Sequence, residues 1–132
     1  MSQIHVAAGV ILNDSSEVLL ALRPLHKHQG GLWEFPGGKV EAGESVQAAL
    51  ARELHEELNL TVEQSEPLLI TEHDYGDKQV LLDVWVVRGF SGEPHGREGQ
   101  TLRWVPISEL ATYKFPQANE VIVARLLSPE FN

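Results

Sequence analysis

A chain of 132 residues with 42% hydrophobic and 22% charged content has the makeup of a folded protein with one core, not of a disordered tail. It holds no cysteine, which excludes disulfides, thiolate zinc sites and cysteine nucleophiles. Its formal charge of −9 argues against a nucleic-acid polymer as partner, since such binding needs a basic face; a single nucleotide carried with Mg²⁺ stays compatible, because the metal screens the phosphates.

At the N-terminus, Met1-Ser2-Gln3-Ile4-His5 has no basic region ahead of a long apolar stretch, and no apolar run approaches the ~18 residues of a membrane span. The expectation is a cytoplasmic protein with no membrane partner. Ile4 to Leu12 is rich in Val and Ile, Asn13-Asp14-Ser15-Ser16 is a turn, and Val18 to Leu22 is a second apolar run, which together predict a hairpin. Arg23 to Gly31 reads as a polar loop carrying Arg23, His26, Lys27 and His28. Trp33-Glu34-Phe35 is short and extended, and Pro36-Gly37-Gly38 breaks the backbone.

Ser45 to Leu58 is the clearest helix, with Ser45 as N-cap. Val46, Leu50, Leu54 and Leu58 recur every four residues and form a stripe that can bury against a sheet. Beside that stripe, Glu53, Glu56 and Glu57 project from one side of the helix. Like charges at such spacings destabilise a helix unless a cation balances them. The plain account of a charge run is a solvated acidic face; here the spacing favours an ion, and the ion suggests phosphate chemistry.

Leu68 to His73 and Gln79 to Arg88 read as strands joined by Asp74-Tyr75-Gly76-Asp77-Lys78. Asp83 interrupts the second of these, either facing a pocket or, more simply, facing solvent. Ser91 to Gln100 is a loop rich in Gly and charge, Leu102 to Val105 a strand, Pro106 to Leu110 the start of a short helix, and Ala118 to Leu127 a closing helix. Strands mixed with helices, without regular βαβ alternation or any linker, give one α+β domain over residues 1–132 with a mixed sheet.

Gly38 to Leu60 resembles the signature of the Nudix hydrolases: Gly, five residues, Glu, seven residues, then Arg-Glu-aliphatic-x-Glu-Glu-x-Gly-aliphatic. Gly38, Glu44, Arg52, Glu53, Leu54, Glu56, Glu57 and Leu60 match it. Asn59 departs, standing where the family usually has Gly. That position ends the helix at positive φ, and Asn is the next-best residue there, so a small stability cost with intact chemistry is expected. Competing readings fail: Gly37-Gly38-Lys39 lacks the Ser or Thr of a phosphate loop, and His55-Glu56 has no His at position 59 for a zincin helix.

Further segments are similar to the MutT-type branch of that family, the 8-oxo-dGTP diphosphatases: Glu34-Phe35-Pro36-Gly37-Gly38-Lys39, Gly92-Glu93-Pro94, Arg97-Glu98-Gly99-Gln100 and Phe115-Pro116-Gln117-Ala118-Asn119-Glu120. The resemblance implies an αβα sandwich whose mixed central sheet is flanked by the catalytic helix and a C-terminal helix. It implies metal ligation by the Gly37 carbonyl, Glu53, Glu56, Glu57 and Glu98, a set of hard oxygens suited to Mg²⁺, with Mn²⁺ as substitute. Glu98 otherwise reads as a surface glutamate. Arg52 would orient the glutamates, and Glu53 or Glu98 would act as general base.

The same resemblance places Arg23 on phosphate, where its fork suits the task, and His28 on the nucleotide. Glu34, Phe35, Pro36 and Gly37 would contact substrate, Phe35 and Pro116 bracketing the base. Asn119 would read the base edge with an amide that both donates and accepts; its plain alternative is an N-cap of the last helix. The expected activity is hydrolysis of 8-oxo-dGTP to 8-oxo-dGMP and pyrophosphate by a monomer. Rivals are a pyrophosphohydrolase of another, modified pyrimidine triphosphate and a non-catalytic nucleotide sensor; retention of Glu53, Glu56 and Glu57 speaks against the sensor.

Overall fold

The computed structural model describes residues 3–25 and 30–131. In chain order its strands are β1 (Gln3–Ile11), β2 (Glu17–Leu22), β3 (Trp33–Glu34) and β4 (Gly37–Lys39). Helix α1 (Val46–Leu58) precedes β5 (Thr61–Asp74), β6 (Gln79–Ser91) and β7 (Leu102–Pro106). Two 3₁₀ turns (Ile107–Thr112 and Gln117–Asn119) lead into α2 (Glu120–Leu127).

The strands form a mixed sheet in the order β4-β1-β6-β5 and an antiparallel sheet in the order β3-β2-β7. The expected hairpin of β1 and β2 is therefore corrected. The two meet at one bridge, Leu12 to Val18, and then enter different sheets. Both apolar runs are continuous because each strand is central and buried on both faces. Along β1, Ala7 and Ile11 join the cluster under α1, while Ala8 and Val10 join the cluster that includes Ile122 and Leu126 of α2. The helices thus lie on opposite faces of the strands, giving an α+β fold with αβα layering.

Ser45 caps α1 by accepting a hydrogen bond at its hydroxyl oxygen from the Ala48 N–H, and Leu50, Leu54 and Leu58 are buried along one side. Asn59 ends the helix in the left-handed region at φ 61°. The break expected at residues 36–38 is a change of sheet: the chain leaves β3 in one sheet and pairs as β4 with β1 in the other. β5 starts seven residues earlier than Leu68, and as an exposed edge strand with register shifts it lacks the alternation that would reveal it. The closing helix starts at Glu120, not Ala118, after a 3₁₀ turn that follows extended Pro116.

Asp83 is only 8% exposed, which overturns the solvent-facing reading. Its carboxylate accepts from the Trp85 indole N–H at 2.9 Å and lies 3.2 Å from His5 Nε2, on the α1 side of the sheet. Among the described residues, no helix is long and apolar enough to cross a membrane.

Candidate active site

A cavity of about 580 Å³ opens between the two sheets. Ile4, Val6 and Ala8 of β1, with Val80 and Leu82 of β6, supply its apolar floor. Arg23, Glu34, Phe35, Pro36, Gly37, Glu57, Glu98, Pro116 and Asn119, all singled out in the sequence, border it. Glu53, Glu56 and Arg52 do not border it, and His28 lies outside the described residues.

Near Gly37 the site is acidic. The Glu57 carboxyl is pushed up to about 9, first by burial, then by a hydrogen bond with Glu53 and by the charges of Glu53, Glu98 and Glu34. Without a cation, Glu57 holds a proton at neutral pH. Gly38 permits this crowding, while Gly37 lets β4 lie close against β1. A Cβ on Gly37 would run into the Ala7 carbonyl, and a Cβ on Gly38 would lie 2.6 Å from each Glu53 carboxylate oxygen. Residue 38 is thus a cradle for a carboxylate that any side chain would displace.

The donor chemistry fits a hard divalent ion: carboxylate and carbonyl oxygens only, with excess negative charge relieved now by a proton. Among the described residues, however, no three acidic or histidine side chains form a ready-made cage. Glu57 and Glu53 are joined through hydrogen instead, and Glu56 stands farther out, its side chain 59% exposed.

Arg52 ties this arrangement down. Its Nε and Nη2 donate to the two oxygens of Glu44 at 2.7 and 2.9 Å, and its Nη1 donates to Glu53 at 3.0 Å and to Glu56 at 3.4 Å. Nη2 also reaches the Lys39 carbonyl at 3.1 Å, linking α1 to the end of β4. The guanidinium holds Glu44 down at about 2, and the carboxylates raise the Arg52 pKa in return. Arg52 contacts glutamates and backbone, not the cavity.

Arg23 lines the cavity while donating to Glu34 at 2.6 Å, so a phosphate there would share the guanidinium with that carboxylate. Phe35 is 4% exposed and stacks on Phe115 with centroids 5.4 Å apart, leaving its other side toward the cavity. The Trp33 N–H donates to the Lys114 carbonyl at 2.8 Å, so β3 and the 113–116 segment form one wall. Asn119 occupies the N-cap position of α2, as the plain alternative expects, but its backbone is helical and its side chain makes no capping hydrogen bond. The residue also borders the cavity.

Sequence reasoning missed Tyr75, Lys78 and Gln100 as lining residues. Tyr75 and Lys78 belong to a turn recognisable as a turn, but its meeting with the C-terminal segment, where the Ala118 N–H donates to the Tyr75 hydroxyl at 3.0 Å, is a tertiary fact. A second cavity of about 550 Å³, bordered by Leu12, Asn13, Arg88 and Phe131, contains none of the predicted residues.

A NUDIX domain family profile matches residues 7–125. The 8-oxo-dGTP diphosphatase of Escherichia coli K12 is 36% identical over 126 residues, covering 96% of this chain and 98% of its own. The CTP pyrophosphohydrolase of the same organism is 38% identical, covering 90% and 87% respectively. Among solved structures, that of a MutT protein from work on Aliivibrio salmonicida and Vibrio cholerae superposes with a TM-score of 0.86 at 46% identity, covering 96% of this chain and 98% of that one.

Proposed function

The chain belongs to the Nudix family, and from that membership we propose that its 132 residues form one domain hydrolysing 8-oxo-dGTP to 8-oxo-dGMP and pyrophosphate. The observation that carries this reading is a single cavity bordered both by carboxylates, Glu57 and Glu98, and by Asn119 beside Phe35 and Pro116. One set suits a metal-bound triphosphate, the other a purine edge. The protein would work in the cytoplasm as a monomer on free nucleotides, in keeping with its charge of −9.

The Gly37 carbonyl, Glu53, Glu57 and Glu98 would hold Mg²⁺, with Glu56 at the outer edge. When bound, such an ion neutralises phosphate charge and lowers the pKa of coordinated water. Arg23 and Lys78 border the cavity as cations for the anionic substrate. Water attacks the β-phosphorus, the bond from that phosphorus to the α-phosphate oxygen breaks, and the nucleoside monophosphate leaves with the electron pair. Glu98 takes the water proton at a carboxylate oxygen, because Glu53 is already engaged by Arg52 and Glu57.

The test is pyrophosphate release with Mg²⁺ across 8-oxo-dGTP, dGTP and modified CTPs at low substrate. Fastest turnover of 8-oxo-dGTP, lost in Glu98→Gln, is the expected result. The similarity to a CTP pyrophosphohydrolase supports a second reading, a modified pyrimidine substrate, and faster turnover of a CTP analogue would establish that instead. Tight nucleotide binding with no pyrophosphate released would replace both with a sensor.

A further inference from the structure

Position 59, where this chain departs from the signature, holds a side chain with a partner. Asn59 Oδ1 accepts from Arg97 Nη2 at 2.7 Å, and Arg97 immediately precedes Glu98. The surrounding backbone is built around this contact. The Arg97 N–H donates to the Glu57 carbonyl at 3.0 Å and the His95 N–H to the Leu58 carbonyl at 2.9 Å. The open carbonyls at the end of α1 are thereby satisfied by the very loop that carries Glu98. At the loop's start, a Cβ on Gly92 would lie 2.6 Å from the Asn59 carbonyl oxygen, so the chain presses directly on the helix terminus. At its far end the Glu98 N–H donates to Gln100 Oε1 at 2.9 Å.

A glycine at 59 would keep the left-handed turn at φ 61° and lose only the amide. The amide's contribution is therefore separable from helix termination. The backbone bonds from His95 and Arg97 join the loop to the end of α1, and the Asn59–Arg97 side-chain bond adds a further tie at Arg97, one residue before the carboxylate. Glu57 and Glu98 border the same cavity, so the placement of the loop sets how the two groups meet there.

We propose that Asn59 is a positioning residue: through Arg97 it tethers the 92–100 loop and holds Glu98 in register with Glu57 at the cavity. This rests on the hydrolase reading above. The experiment compares wild type, Asn59→Gly and Asn59→Asp in hydrogen exchange of residues 92–100, alongside steady-state kinetics with 8-oxo-dGTP and Mg²⁺.

Asn59→Gly should speed amide exchange in that loop and lower kcat roughly five- to tenfold, the range for losing one hydrogen bond of ordinary net strength, with KM within about twofold. Asn59→Asp, which tolerates the same turn and can pair with Arg97, should restore both. Unchanged loop exchange in Asn59→Gly overturns the tether. Faster exchange with unchanged kcat, or with KM rising instead, overturns the positioning role. If wild type releases no pyrophosphate from any nucleotide, the hydrolase reading falls, and with it the role in turnover, while the exchange data still decide whether the tether exists.

Discussion

Glu57 is a carboxyl that the fold keeps protonated until something better arrives. Its ordinary value near 4.5 rises to about 9 in the folded protein, so the folded state binds that proton more tightly than the unfolded chain does. In metal-free protein, stability should therefore be greatest below about pH 4.5 as far as this group is concerned, and should fall as pH rises toward about 9. Thermal melts in chelator between pH 5 and 9 test this: wild type should lose Tm across the range, Glu57→Gln should be flatter, and Mg²⁺ should restore the wild type at high pH. Parallel profiles for the two proteins would refute it. Asn119 is argued at the same scale. A side chain pairing with a base edge contributes about 1–3 kcal/mol of discrimination, so Asn119→Ala should cut the preference for 8-oxo-dGTP over a pyrimidine triphosphate by roughly 10- to 100-fold. Unaltered selectivity would remove Asn119 from the site.

Helix α1 was the most legible element, because three independent signals converge on it: the N-cap at Ser45, the four-residue apolar spacing, and the stop at Asn59. What the spacing did not reveal is how the charges on its other side are shared out. Glu53 lies against Gly38 of β4 and shares a hydrogen bond with Glu57, while Glu56 is left on the outside with Arg52. The Glu44–Arg52 pair fastens the start of this segment to the helix. Because Arg52 holds Glu44 near 2, its stabilisation is complete above about pH 4.5 and disappears as pH falls toward 2. Glu44→Gln should remove that part of the acid unfolding limb in a pH series followed by circular dichroism; an unchanged limb would show that the pair is idle.

The chain changes sheets three times, after β1, between β3 and β4 and between β6 and β7, and the cavity opens between the two sheets so formed. None of these changes is readable from local pattern, since a doubly buried strand and a hairpin strand present similar apolar runs. Of the residues bordering the cavity, Glu57 was legible from helical spacing and the rest of the expected set through resemblance; Tyr75 and Lys78 had no such signal and were found by the structure alone. The joint between Phe35 and Phe115 carries a prediction for the whole assembly. Phe115→Ala removes a half-buried stacking partner, so it should cost about 2 kcal/mol of stability in denaturant melts and raise KM more than it lowers kcat, because the wall of the proposed base site loosens. A kcat loss with KM unmoved would place that wall in the chemistry instead. At the outer margin of the mixed sheet lies β5, long and open to solvent, with Ile70 63% exposed. Such an edge is a template on which another chain can grow a fibre. Here the register shifts around Val62 and Pro67 spoil the ladder, and Glu63, Glu72 and Asp74 repel a second copy of the same strand. The same excess of acidic residues thus sets like charges against one another on the β5 edge, where a second copy would have to pair.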